Sequence, residues 1–345
     1  MSAAHQDGGP TAAGLRLVLA GDVMLGRQAG EVMLREGAGY PLGAVASLLR
    51  GADLAIANLE CAIGEPGERW QGAPKAFYFR APPQAGQALS DAGIRLVSLA
   101  NNHILDYGAD GLLETLATLD AHGIAHAGAG ADLAAAQAPA IVERQGVRIG
   151  MAAFCDHQDD FAATPDHPGM AWLGLHDEAA AIDAFARALA PLRAQGVRWP
   201  ILSLHWGPNM VSEPAPHQRR LARAAIEVGW KIVYGHSAHV FQGVELHEGC
   251  PILYAAGDLV DDYAVDPAFR NDHQLLFALE LGEDAVERIV MHPLFIRRCR
   301  VFPANSAQRA WIVERMQSLC GELGTGTEID GDTLVIRPRM ETPHE

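Results

Sequence analysis

Two apolar runs that end in histidine, LSLHWG at residues 202–207 and IVYGHSAH at residues 232–239, decide how this chain folds. Between them, residues 216–229 carry leucine, alanine and valine on one helical face and arginine and glutamate on the others, which predicts a helix. The unit is therefore strand, helix, strand. Neighbouring parallel strands end at the same edge of a sheet, so we expect the histidine of the first run to meet the two histidines of the second.

Three imidazoles that meet at one sheet edge are typical of a transition-metal or zinc-class site. The three are His205, His236 and His239, and Gly207 and Gly235 beside them permit close backbone approach. A single histidine at a strand end is more often a hydrogen-bonded structural residue than a metal ligand. The metal interpretation therefore depends on whether other strands deliver further ligands.

Composition and charge exclude several classes of function. The chain has 345 residues, is 49% hydrophobic and has a net charge of −16. Lysine occurs only at Lys75 and Lys231, so nonspecific binding to nucleic acid or to anionic membranes, which needs basic surface, is not expected. Five scattered cysteines without a Cys-x-x-Cys pair indicate neither a disulfide framework nor a thiolate zinc site. A bound divalent cation would suit so acidic a chain.

We predict one domain over residues 15–337, with a disordered N-terminal tail at residues 1–14 and a C-terminal tail at residues 338–345. No internal repeat or linker-like segment divides the chain. The first residues lack the basic start and apolar core of a signal peptide, and no apolar run reaches the length of a membrane helix. These features predict a cytoplasmic protein without stable membrane insertion, and they leave the oligomeric state open.

Three further apolar runs end in polar residues of the kind that bind metals. The runs are residues 15–20 before Gly21-Asp22, residues 53–57 before Asn58-Leu59-Glu60, and residues 95–100 before Asn101-Asn102-His103. A hairpin pattern at residues 140–154 indicates that the sheet is mixed, and further hairpins after His239 predict a second, antiparallel layer.

The strand-end motifs form an ordered series, which runs GDVMLGR at residues 21–27, NLE at 58–60, NNHILDYG at 101–108, HWG at 205–207 and GHSAHVFQ at 235–242. This series resembles the CapA family of bacterial capsule or poly-γ-glutamate synthesis proteins, which is similar to the calcineurin-like metallophosphoesterases. The resemblance covers about residues 15–281. It implies an α/β fold of the metallophosphatase-like type, a four-layer α/β/β/α sandwich with mixed sheets, and a two-metal site at the sheet edge.

The resemblance also implies the ligands and the catalytic group. One ion would be held by Asp22, Glu60 and His239, and the other by Glu60, Asn102, His205 and His236, with Glu60 as the bridge. Such ligands suit one or two divalent transition ions (Mn, Fe, Co or Zn), and two ions roughly 3.5 to 4 Å apart can activate a hydroxide. His103 would be free for general acid or base work, with Asp106 as its orienting partner.

Some positions depart from the wider pattern. Met24 stands where the phosphoesterases have a histidine, so one metal would be a ligand short. Glu60 takes the place of an aspartate, and the paired histidines are one residue further apart, as in CapA-like proteins. The stretch from Gly257-Asp258 to Asp261 stands where the family usually has Gly-Asn and an aromatic residue.

The resemblance implies a metal-dependent hydrolase of poly-γ-glutamate or capsule metabolism that cleaves an amide or ester bond in a peptide-like or acidic polymer. Arg27, Lys75 and Arg80 are candidates for binding substrate carboxylates, although such residues are more often solvated surface charges. Three alternatives stay open: an epimerase of ribosomal peptides, a phosphoesterase, and a noncatalytic capsule-assembly subunit. The epimerase is chemically close, because a cation that polarises a peptide carbonyl also acidifies the neighbouring Cα proton.

Overall fold

The structure is a computed structural model that describes residues 14–65 and 67–338. Within these residues the strands are, in chain order, β1 (Leu15–Val23), β2 (Leu54–Leu59), β3 (Ala62–Ile63), β4 (Arg80–Ala81), β5 (Ile94–Ser98), β6 (Ala125–Ala127), β7 (Ala129–Gly130), β8 (Ala140–Arg144), β9 (Val147–Cys155), β10 (Gly169–Met170), β11 (Trp199–His205), β12 (Ile232–His236), β13 (Val244–His247), β14 (Cys250–Leu253), β15 (Asp258–Val260), β16 (His273–Leu281), β17 (Val286–Ile296), β18 (Val301–Pro303), β19 (Glu328–Asp330) and β20 (Thr333–Ile336). The α-helices are α1 (Arg27–Glu36), α2 (Ala46–Arg50), α3 (Gln84–Ala92), α4 (Gly108–Ala121), α5 (Leu133–Gln137), α6 (Glu178–Ala194), α7 (Pro216–Val228) and α8 (Ser306–Glu322).

Most of these strands belong to two mixed sheets. Among the described residues, the larger sheet has ten strands in the order β19-β20-β17-β16-β1-β2-β5-β6, with β15 beside β1 and β18 beside β17. The smaller sheet has six, in the order β13-β14-β12-β11-β9-β8. In the larger sheet β1 pairs in parallel with β2 and antiparallel with β16, and in the smaller sheet only the two edge pairs are antiparallel. The predicted mixed sheets are therefore confirmed.

The two sheets pack face to face and helices cover the outside. In β9 the side chains of Ile149 and Met151 lie in a core shared with β1, β2 and β16 of the larger sheet. The alternate residues Ala152 and Phe154 lie in a second core with α6 and α7. Because successive strand residues face opposite sides, the smaller sheet is sandwiched between the larger sheet and these helices. With α3 on β5 and α8 against β16 and β17, the predicted four-layer α/β/β/α sandwich is confirmed.

The strand, helix, strand unit predicted from the two histidine runs is also confirmed. All seven residues of β11 are buried, as in a parallel strand covered on both faces. Helix α7 buries Leu221 and Ala225 on the sheet and ends at Gly229, whose φ of 110° is a left-handed conformation that favours glycine. β11 and β12 then pair in parallel with His205 opposite His236.

The hairpins after His239 do not form a separate antiparallel layer, so this prediction is wrong. β13 and β14 extend the smaller sheet beside β12, whereas β16 and β17 extend the larger sheet beside β1. Hairpin patterns show which strands pair locally but not which sheet edge they join, because that depends on contacts far apart in sequence.

The predicted tails lie almost entirely outside the described residues, which begin at residue 14 and end at residue 338. The single domain over residues 15–337 stays a prediction, and a core shared by both sheets is compatible with it. Across the part of the chain that the structure describes, no helix is both long enough and apolar enough to cross a bilayer.

Candidate metal centre

Neighbouring strands of both sheets place polar side chains in one buried region. β1 carries Asp22, β11 ends in His205, β12 ends in His236, and Glu60 directly follows β2. Each of these four residues is at most 1% exposed. Buried polar groups need partners, so their collection in one place is a strong constraint on what the site binds.

We call Asp22, His205 and His236 the histidine subsite, because one ligand atom of each lies within 4.8 Å of the others. Nδ1 of His205 lies 2.8 Å from Nδ1 of His236, which is 3.8 Å from an oxygen of Asp22. The Ser203 hydroxyl lies 2.8 Å from Nε2 of His236, and Oδ1 of Asn102 lies 3.0 Å from Nε2 of His205. Since Ser203 engages Nε2 of His236, the nitrogen that would face a bound ion is Nδ1, which lies beside Nδ1 of His205 and Asp22.

We call Asp22, His239 and Asp258 the carboxylate subsite, because one ligand atom of each lies within 4.8 Å of the others. Nδ1 of His239 lies 3.0 Å from Oδ1 of Asp258 and 3.6 Å from Oδ2 of Asp22. His239 and Ser237 have φ values of 57° and 103°, in the left-handed region. Such backbone costs on the order of 1–3 kcal/mol and persists only where the surroundings fix it. Here the Ser237 N–H donates to Asp22 at 3.1 Å and helps to hold the loop.

Glu60 lies close to the histidine subsite. Its Oε1 is 3.9 Å from Nε2 of His205 and 3.9 Å from Nε2 of His103, and has no hydrogen-bond partner among the described residues. The side-chain amide of Asn58 donates to Oε2 of Glu60 at 3.3 Å and to Asp22 at 2.8 Å. A buried carboxylate oxygen without a partner fits a ligand of an ion. The bridging role of Glu60 stays a prediction, and Asp22 is common to both subsites.

Burial shifts the pKa values of these groups toward their neutral forms. Desolvation raises the pKa of Asp22, and desolvation with repulsion from Asp22 raises the pKa of Glu60 and of Asp258 well above the usual range. Burial lowers the pKa of His205 well below its usual value, and that of His236 to about 3. Neutral imidazole is the form that binds metals, and a divalent cation would offset the repulsion among the carboxylates. The donor set therefore fits one or two divalent transition ions.

His103 lies beside this region with its own partner. Its Nδ1 is 2.6 Å from Oδ2 of Asp106, and its ring packs edge-on against Phe79 with centroids 4.4 Å apart. Burial lowers the pKa of His103 to about 4, although the hydrogen bond to Asp106 opposes that shift. A neutral His103 would donate Nδ1–H to Asp106 and leave the lone pair of Nε2 on the side of Glu60.

The three cations predicted to bind substrate lie in two different places. The Lys75 side chain is 8% exposed and its ammonium pairs with Asp106, so its charge is used inside the protein. Arg27 and Arg80 line an open cleft of about 640 Å³. Arg27 lies 3.4 Å from a carboxylate oxygen of Asp262, and its side chain is 29% exposed.

All predicted ligands lie in or beside the two subsites: Asp22, Glu60, Asn102, His205, His236 and His239. Sequence reasoning missed Asp258 and Asp261, which are 0% and 4% exposed. A signal was present, because Gly257-Asp258 repeats the Gly21-Asp22 dipeptide, and both follow an apolar run.

Fold and site together define an α/β protein of the four-layer type with a buried histidine and carboxylate site suited to divalent metals. The family described as "Bacterial capsule synthesis protein PGA_cap" matches residues 16–263, and the chain belongs to this family. The resemblance to CapA is thereby confirmed.

Relatives carry related names. The chain is similar to a "Probable polyglutamine synthesis accessory protein" of Mycobacterium tuberculosis, with 31% identity over 92% of this chain and 94% of that protein. It is 27% identical to "Capsule biosynthesis protein CapA" of Bacillus anthracis over 85% of this chain and 70% of that protein. Among solved structures, the sulfate thiohydrolase SoxB of Thermus thermophilus matches 85% of this chain and only 57% of its own, with 12% identity and a TM-score of 0.46. At that level of likeness nothing follows about the site.

Proposed function

We propose that this protein is a metal-dependent hydrolase of capsule or poly-γ-glutamate metabolism that cleaves an amide or ester bond in an acidic, peptide-like polymer. The observation that carries the proposal is the buried meeting of His205 and His236 with Asp22 and Glu60, including an oxygen of Glu60 that has no hydrogen-bond partner within residues 14–65 and 67–338. Groups so deeply buried and so unlike the surrounding core are expensive unless they serve a ligand.

The residues that would hold the metal are those of the histidine subsite, with Glu60 and Asn102, and His239 on the other side of Asp22. Mixed imidazole, carboxylate and amide donors suit Mn, Fe, Co or Zn. When bound, such an ion supplies a Lewis acid for the substrate carbonyl.

His103 is the residue that we assign to proton transfer. Asp106 accepts the Nδ1 proton at 2.6 Å and so fixes the ring orientation, while Lys75 pairs with the other carboxylate oxygen of Asp106. In the proposed hydrolysis, Nε2 of His103 takes a proton from water as the water oxygen bonds to the carbonyl carbon, and returns it to the amine or alcohol that leaves when the C–N or C–O bond breaks.

The substrate class rests on the cleft and on the family. Arg27 and Arg80 share one cleft, and Arg27 packs over the ring of Phe79, which also contacts His103. A polymer with repeated carboxylates would place one carboxylate on these guanidinium groups while the amide or ester bond to be cleaved lies near His103. The names of the relatives, which refer to capsule and polyglutamine synthesis, support a peptide-like polymer, and its acidic character is inferred from Arg27 and Arg80 in the cleft.

The test begins with metal analysis of the purified protein, because negative assays of a metal-free protein carry no information. Protein loaded with Mn²⁺, Fe²⁺, Co²⁺ or Zn²⁺ is then assayed on γ-glutamyl peptides, phosphodiesters, and peptides in deuterium oxide. Cleavage of γ-glutamyl peptides that Asp22→Asn abolishes supports the proposal. Deuterium incorporation at Cα without cleavage would assign an epimerase, phosphodiester cleavage alone a phosphoesterase, and inactivity of a loaded protein a noncatalytic accessory role.

A further inference from the structure

Asp258 reaches the site from a strand that the fold brings unusually close to β1. β15 pairs in parallel with β1, and Asp258 is directly opposite Asp22 in the register. A Cβ at Gly21 would lie 2.1 Å from the carbonyl oxygen of Gly257, so only glycine permits this approach. The Asp22 N–H then donates to the Gly257 carbonyl oxygen at 2.8 Å. The backbone therefore fixes two carboxylates side by side.

The two oxygens of the Asp258 carboxylate have different surroundings. Oδ1 lies 3.0 Å from Nδ1 of His239, whereas Oδ2 is fully buried and has no hydrogen-bond partner among the described residues. Asp261, which directly follows β15, also has a buried Oδ2 that lacks a hydrogen-bond partner in the described part of the chain. Its Oδ1 accepts from the Tyr263 N–H at 2.8 Å, which fixes the loop.

No cation of the protein neutralises this group in the part of the chain that the structure describes. The ammonium of Lys75 pairs with Asp106, and Arg27 pairs with Asp262. Met24, which follows β1, is 1% exposed and packs in the hydrophobic core, so it supplies no nitrogen or oxygen. The donors grouped on this side are therefore the carboxylates of Asp22 and Asp258 and the imidazole of His239.

We propose that Asp258 is a metal ligand and makes the carboxylate subsite a second, oxygen-rich site that takes a hard divalent ion such as Mn²⁺ or Mg²⁺. This inference rests on the proposed function, since it adds an ion beside the one at the histidine subsite. Carboxylate oxygens suit Mg²⁺ and Mn²⁺, whereas paired imidazoles suit Zn²⁺, Fe²⁺ or Co²⁺. The two ions would then differ in kind as well as in position, with Asp22 between them.

The test uses the full chain loaded with one equivalent of Zn²⁺ and then titrated with Mn²⁺, followed by electron paramagnetic resonance and calorimetry. We expect the wild type to bind one Mn²⁺ without losing zinc. Asp258→Asn should weaken Mn²⁺ binding by more than about 100-fold. Loss of a residue that only orients a metal ligand lowers metal affinity by roughly 10–100-fold, and loss of the ligand itself should lower it further. Zinc should stay in place. Asp262→Asn, an aspartate of the same loop that faces Arg27, is the matched control and should bind Mn²⁺ as the wild type does.

Stability gives a second measurement that does not depend on activity. In the metal-free protein, Asp258→Asn removes one of several crowded carboxylates, so its melting temperature should equal or exceed that of the wild type. Added Mn²⁺ should raise the melting temperature of the wild type but not that of Asp258→Asn. A metal-free variant that melts well below the wild type would instead show a structural role for Asp258 and overturn the assignment.

The outcomes separate this inference from the proposed function. A wild type that keeps zinc but binds no Mn²⁺, or an Asp258→Asn variant that loses less than about 100-fold in Mn²⁺ affinity, overturns the inference and leaves the hydrolase proposal standing. A wild type that binds neither zinc nor Mn²⁺ overturns the proposed function itself.

Discussion

The histidine subsite and the carboxylate subsite share Asp22 but are built in different ways. His205 and His236 end two parallel strands of the smaller sheet and are opposite one another in its register. His239 lies in the loop after β12 with left-handed backbone, and Asp258 begins the three-residue strand β15. The first subsite is therefore held by regular secondary structure, and the second by a strained loop and a short strand.

This difference in construction predicts a difference in how tightly the two subsites bind an ion. A ligand pair fixed by regular strands is pre-organised and suits a tightly bound ion, since little order is lost on binding. Ligands on loops allow an ion to be exchanged more readily and vary more between relatives. We therefore expect the histidine subsite to bind its ion more tightly than the carboxylate subsite.

The largest expected effect comes from breaking the histidine subsite. His205→Ala or His236→Ala should lower affinity for Zn²⁺ or Co²⁺ by more than about 100-fold and reduce hydrolysis to background, because a direct ligand is lost. Metal content by mass spectrometry checks this. His247→Ala, a partly exposed histidine on β13 that pairs with Glu227, is the control and should keep both metal and activity. Full metal retention in both variants would remove the histidines from the ligand set.

His103 tests whether the group beside the subsites takes part in the chemistry. His103→Asn should retain both metals while slowing turnover about 10²- to 10⁴-fold, the usual range for loss of a general acid or base. The competing role is structural, because His103 hydrogen-bonds Asp106 at 2.6 Å and could simply brace that loop. Near-normal turnover with a lowered melting temperature would establish the bracing role.

The cleft that Arg27 and Arg80 line tests whether the protein binds carboxylates of the substrate. Arg80→Met should raise KM for a γ-glutamyl substrate roughly 10- to 100-fold with kcat little changed, since charge-assisted hydrogen bonds contribute about 1.5–3 kcal/mol. Arg35→Met on α1, whose side chain is 65% exposed, provides the control. An equal rise in KM for a substrate without carboxylates would show that Arg80 supports the cleft rather than binds the substrate's charge.

The smallest effect is expected from making the two subsites more alike. Met24→His would offer the carboxylate subsite a second imidazole and should raise its affinity for Zn²⁺ about tenfold, because imidazole suits zinc better than manganese. Competition between Zn²⁺ and Mn²⁺ measures the change. Unchanged stoichiometry and affinity, in a variant whose melting temperature shows a folded protein, would count against a ligand position at residue 24.

The two subsites also differ in how far the sequence predicts them. His205 and His236 follow continuous apolar runs, and strand ends of parallel sheets converge by rule, so their meeting is predictable. The four layers are predicted by the family resemblance that the ordered motifs carry. Asp258 is different, because its place beside Asp22 depends on β15 pairing with β1 over more than two hundred residues of chain.

The same limit explains the wrong prediction for the later hairpins. Local patterns identify β16 and β17 as strands, but pairing of β16 with β1 is set by long-range packing. Lys75 shows a similar limit. The sequence shows that Lys75 is charged, but only the fold shows that its ammonium group forms an ion pair with Asp106.

Anomalous X-ray diffraction from crystals grown with Zn²⁺ and Mn²⁺, recorded at the absorption edge of each metal, tests the central claim most directly, because it locates and identifies each ion without reference to activity. We predict two peaks roughly 3.5 to 4 Å apart, a zinc peak beside His205 and His236 and a manganese peak beside His239 and Asp258. No peak at these residues, or peaks only on surface carboxylates, would contradict the account.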